Sequence, residues 1–76
     1  MESTIKTRYV ILTNISDGSF LTTIYRSSIS TSNDIMLALS FDDLVIAQSV
    51  LKLLISRKDC NGKIVKVETT YSYVTD

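Results

Sequence analysis

The chain has 76 residues, no net charge at neutral pH, a pI near 6.1, one cysteine and no histidine. A chain of this length reads as one domain, residues 1–76, and such a domain buries only about 60% of the surface that its unfolded form exposes. The composition excludes an internal disulfide and argues against a zinc site of the Cys/His kind or the basic excess of a dedicated nucleic-acid binder.

From Ile5 to Asn14 the chain is rich in β-branched and aromatic residues and apolar on both sides at its centre, which predicts a strand inside a sheet. Asp17-Gly18 is a strong hairpin signal. The run from Phe20 to Tyr25 then supplies a second strand, giving a hairpin over 7–25. Arg26 to Asp34 holds five serines or threonines and one large apolar residue, Ile29, and reads as a long solvated loop. The apolar run Ile35 to Leu39 is compatible with a third strand or a buried approach segment, and periodicity does not separate the two.

The stretch Ser40 to Lys58 has the strongest pattern in the chain. Ser40 is placed as N-cap with Asp43 completing an S-x-x-D capping box, and Asp42 and Asp43 suit the positive end of the helix dipole. Leu44, Ile46, Ala47, Val50, Leu51, Leu53, Leu54 and Ile55 cover an arc of about 200°, twice the roughly 100° stripe of an ordinary surface helix. One sheet face does not cover so wide an arc, so either a loop or a second copy of the chain closes over the flank. Asn61 or Gly62 is expected to take the left-handed conformation that ends the helix. Lys63 to Val74 alternates cleanly, with Val65, Val67, Thr69, Tyr71 and Tyr73 on the face expected to meet the helix. The predicted architecture is α+β: a sheet of three to four strands, antiparallel or mixed, with one helix on one face and the last strand beside the first.

The residues Ala38, Phe41, Asp42, Asp43, Ala47, Val65 and Val67, following a Tyr-Val-Ile strand and a hairpin, give a pattern that resembles small phage-encoded proteins of unknown function. No activity comes with this resemblance. It implies an origin among accessory genes of phages or mobile elements, whose products often bind a host or defence component.

Chemistry-bearing residues are few. Asp42 and Asp43 are adjacent and diverge by about 100° on a helix, so helix-start electrostatics accounts for them. Cys60 has no histidine to activate it, and Gly18 and Gly62 are too isolated to form a phosphate cradle. With no acid, base and nucleophile set, the expectation is a non-enzyme without metal or cofactor. No apolar run is long enough to span a membrane and no leader is visible, so a cytoplasmic protein without membrane contact is expected.

The leading functional expectation is therefore a small interaction protein that acts by occluding a host or defence macromolecule, as a homodimer. Ile46, Val50 and Leu53 are assigned to self-association, and Ile29, Tyr71 and Tyr73 to a foreign partner. One alternative is a homo-oligomer holding a small anionic ligand at its interface through Arg8, Arg26 or Lys66. A second is single-stranded nucleic acid stacked on sheet tyrosines, which the scarcity of nearby basic residues argues against.

Overall fold

The computed structural model describes residues 3–72. In chain order these form β1 (Ser3–Asn14), β2 (Ser19–Ile24), β3 (Ile29–Ser32), a 3-10 turn (Ile35–Leu37), α1 (Leu44–Ser56) and β4 (Lys63–Ser72). All four strands are antiparallel neighbours in one open sheet of order β3-β2-β1-β4, with a single helix, so the fold is α+β as the pattern predicts. The last strand lies beside the first, and β1 is interior. Its doubly apolar centre fits that place: Val10 and Ile11 point to opposite faces and both are fully buried.

The β1–β2 hairpin closes through a four-residue turn. Gly18 adopts a φ of 69°, a left-handed value that costs glycine nothing, and its N–H donates to the Asn14 carbonyl at 3.0 Å. The Asp17 carboxylate accepts from the Ser19 N–H and hydroxyl, holding the start of β2. Beyond Leu12↔Phe20 the two strands part, and residues 39–41 fill the gap. Leu39 donates to the Leu21 carbonyl at 2.9 Å, while Phe41 and Tyr9 exchange both backbone bonds at 2.8 Å.

Two expectations are corrected here, and one left open is decided. The serine-rich segment is not a loop throughout: Ile29–Ser32 pairs with β2 as an edge strand, which small hydroxylated side chains tolerate well. The run Ile35 to Leu39 is not a strand. It turns through a 3-10 segment capped by the Asp34 carboxylate, then extends into the wedge. Ser40 does not cap the helix, because Phe41 is held in the sheet by Tyr9 and α1 begins only at Leu44. Asp43 is the cap, its carboxylate accepting from Val45 N–H at 2.8 Å, and the Ser40 hydroxyl instead accepts from the Arg8 guanidinium at 2.7 Å.

At its other end α1 closes with the Asp59 N–H donating to the Leu54 carbonyl and the Lys58 N–H to that of Ile55, a Schellman arrangement. The left-handed residue is Lys58, with φ 62°, and not Asn61 or Gly62. Gly62 serves another purpose. A Cβ there would overlap the Leu12 carbonyl, so only glycine lets the chain enter β4 against the β1 backbone.

Register then decides the faces. Ile11 stands opposite Ile64, and both belong to the core built on Ile11, Leu21, Leu54 and Cys60 beneath Val50 and Leu51 of α1. The expectation that Val65, Val67, Thr69 and Tyr71 meet the helix is therefore reversed. Val65 pairs with Val10 on the far face, and alternation carries Val67, Thr69 and Tyr71 with it. Tyr73 lies outside the described residues. The helix of 13 residues is only about 20 Å long, whereas the ten-pair β1–β4 ladder runs for about 33 Å. The outer part of that ladder projects as a two-stranded ribbon. Accordingly the molecule measures 51 × 24 × 21 Å with a radius of gyration of 14.5 Å, against about 11 Å for a compact chain of this size.

Candidate interaction surfaces

The face of α1 that meets the sheet is narrower than its apolar arc. Ala47 and Leu54 are buried and Val50 and Leu51 half-buried, the i, i+3, i+4, i+7 set of one stripe. Both flanks remain uncovered. On one side stand Ile46, 54% exposed, and Leu53, 52% exposed; on the other, Leu44 and Ile55; and Val45, 66% exposed, lies beyond them. Of the three residues assigned to self-association, Ile46 and Leu53 share an open flank, while Val50 packs against the core. Met36 and Leu37 on the 3-10 turn are exposed too, and sequence reasoning missed them because a short apolar run before a helix reads as buried.

The residues assigned to a foreign partner are not brought together. Ile29 is half-buried against the core, opposite Ile24 in the β2–β3 ladder. Tyr71 is 43% exposed on the far face of the ribbon, near the other end of the sheet order. Tyr9 lies half-buried on the helix side opposite Lys66, so the sheet tyrosines do not form one stacking platform.

The charged groups suggested for an anionic ligand are likewise dispersed. Arg8 projects on the far face and Lys66 on the helix side. Lys66 forms an ion pair with Glu68 at 3.0 Å, and that carboxylate, by hydrogen bond and charge, raises the ammonium above its ordinary value. Arg26 sits in the β2–β3 turn. On the far face, however, the register lines up Lys6, Arg8 and Lys63 with half-buried Val65 and Val67, and the described strands place no carboxylate there.

An open hollow of about 380 Å³ lies where the end of α1 meets β1, walled by Thr13, Asn14, Ile55, Asp59 and Cys60. Three of its polar side chains are engaged by the protein itself. The Thr13 hydroxyl donates to the Ser19 carbonyl, the Asn14 side chain accepts from Ser16, and the Asp59 carboxylate pairs with Arg57 at 2.9 Å. Arg57 also donates to the Tyr25 carbonyl, tying the helix end to the β2–β3 turn. Cys60 is a buried free thiol in the core. Among the described residues, no three of His, Cys, Asp and Glu gather closely enough to hold a metal ion, and no helix is long and apolar enough to cross a membrane.

Comparison of the chain with protein-family models, with curated proteins and with solved structures finds no match. The functional reading therefore rests on these surfaces.

Proposed function

We propose that this chain is a small, non-enzymatic interaction protein that presents the uncovered flanks of α1 to a second macromolecule and acts by occluding it. The carrying observation is that Leu44, Val45, Ile46, Leu53 and Ile55 all stay exposed on a helix of 13 residues whose stripe is already seated on the sheet. Single exposed apolar residues are ordinary, but here they pair along each flank, Ile46 with Leu53 and Leu44 with Ile55, which supports an interaction surface. The chemistry-bearing side chains have structural work: Asp34 and Asp43 cap helical turns, Asp17 holds the hairpin, Asp59 pairs with Arg57 and Cys60 fills the core. The resemblance carried by Ala38, Phe41 and Asp42–Ala47 supports a phage or mobile-element accessory factor directed at a host or defence component.

The test is binding by the Ile46→Lys/Leu53→Lys variant, with its fold checked by circular dichroism. Partner capture from host lysate should fall by at least about tenfold relative to the unaltered chain, the loss expected of two apolar anchors. A partner retained equally well by the variant would remove the helix flank from the reading.

A second reading has its own observation. Lys6, Arg8 and Lys63 share the far face of the sheet with Tyr71, an arrangement suited to the backbone and bases of a single strand of nucleic acid. Retention of a labelled oligonucleotide at low salt, lost at moderate salt and on Lys6→Glu, supports it; no retention at low salt rejects it.

A further inference from the structure

The outer edge of β4 is the longest unpaired backbone in the described fold. The sheet order ends at this strand, and the ladder behind it runs without a bulge from Lys63 to Ser72, with no proline in that span. Natural sheets blunt such edges with bulges, prolines or charged side chains, and an edge left long and straight is a template for another strand. Here Lys66 is matched by Glu68, and the remaining charge, Lys63, stands at the first residue of the strand.

The geometry fixes which backbone groups are available. Tyr9 directs its N–H and carbonyl at Phe41, away from β4. The Tyr9↔Lys66 pair is therefore one of the non-hydrogen-bonded pairs of the ladder, and Lys66 turns its own N–H and carbonyl outward. By alternation Ile64, Glu68 and Thr70 do the same, while Val65, Val67 and Thr69 bond inward to β1.

We infer that two copies of this chain pair antiparallel through β4, with the two-fold axis at Val67, forming one continuous eight-stranded sheet. In a two-fold antiparallel pair one residue must face its own copy, and outward-facing residues can bond only to outward-facing ones. An axis at Lys66 would oppose two ammonium groups, and one at Glu68 two carboxylates, each of which is unfavourable across a ladder. An axis at Val67 sets valine against valine. It brings Lys66 of each copy opposite Glu68 of the other and Ile64 opposite Thr70, all outward-facing, and it uses the strand from Lys63 to Tyr71. The same pairing shelters the outer edge of the ribbon, which extends past the only α-helix among the described residues. This inference does not depend on the helix flanks, which stay free to bind something else.

Sedimentation and light scattering of the full chain over a wide concentration range test it. The unaltered protein should be a dimer, and Lys66→Glu and Glu68→Lys should each weaken it by at least about tenfold, since each replaces two opposed ion pairs by two repulsions. Mixing the two variants should restore a dimer, because the acidic edge of one then meets the basic edge of the other. Their intrachain neighbours remain like-charged, so recovery cannot come from repair within one chain. Thr70→Pro removes only an outward N–H and should also weaken the dimer while leaving the fold intact. A chain that stays monomeric at every concentration overturns the inference. So does a dimer indifferent to these changes, or one broken only by Ile46→Lys and Leu53→Lys. Loss of the β4 dimer with partner binding intact would leave the proposed function standing.

Discussion

The body of the molecule and its ribbon use the same ladder under different conditions. In the body, Val10↔Val65 and Ile11↔Ile64 are cross-strand pairs, and the second lies under Leu54 and Leu51 of α1. In the ribbon, Ile5↔Thr70 and Lys6↔Thr69 continue the same hydrogen-bonded register with exposed side chains and no helix above them. A lone two-stranded ribbon is at best marginally stable in water. Its stability here comes from being a continuation of strands that the body anchors. Backbone pairing thus propagates order outward, while burial, roughly 25 cal/mol per Å² of apolar surface, supplies the free energy at one end only.

The severest break is at the junction where β4 starts. Gly62→Ala places a Cβ on the Leu12 backbone, which no side-chain rotation relieves, so both regions should lose structure together. The expected cost exceeds about 4 kcal/mol, comparable with the whole stability of a domain this size. Chemical denaturation should show the chain unfolded or nearly so at room temperature.

Truncation on either side separates the two regions. Leu54→Ala removes a fully buried side chain from the core and should cost about 2–5 kcal/mol by denaturant titration. Ile5→Ala, at a position 64% exposed, should cost less than about 0.5 kcal/mol globally. Its effect should appear in amide hydrogen exchange instead, as faster exchange confined to the ribbon ends of β1 and β4. Equal global costs for the two would contradict the division drawn here.

The smallest expected effect concerns the body alone. Asp43→Ala removes the N-cap of α1 and should cost about 1 kcal/mol, whereas Ser40→Ala loses only an exposed hydrogen bond from Arg8 and should stay within about 0.5 kcal/mol. Ribbon exchange should be unchanged in both. Thermal melts that rank Ser40 above Asp43 would reinstate the earlier cap.

Local patterns made much of this fold readable. The doubly apolar Val10-Ile11 centre placed β1 inside the sheet, Asp17-Gly18 placed the first turn, and the helical arc located α1 to within a few residues. The error at Ser40 arose because capping patterns weigh local partners only, and the bond that decided the matter comes from Tyr9, far away in the chain. The serine-rich strand was missed for a similar reason. Ile29–Ser32 has little strand character of its own and is ordered by the edge of β2. As for the surfaces, the excess width of the helix arc pointed to Ile46 and Leu53, but nothing local showed that Met36 and Leu37 stay exposed.

The sequence by itself determined the α+β class, the elements that hold the core and an apolar helix circumference wider than one sheet face. Periodicity carries these because it reflects how each segment divides its own side chains between inside and outside. Tertiary structure alone decided which face of β4 lies under the helix, that β4 ends the sheet and how far the ribbon extends past α1. Alternation offers two faces of equal pattern, and only the register of Ile64 on Ile11, fixed by the close approach of Gly62 to Leu12, chooses between them.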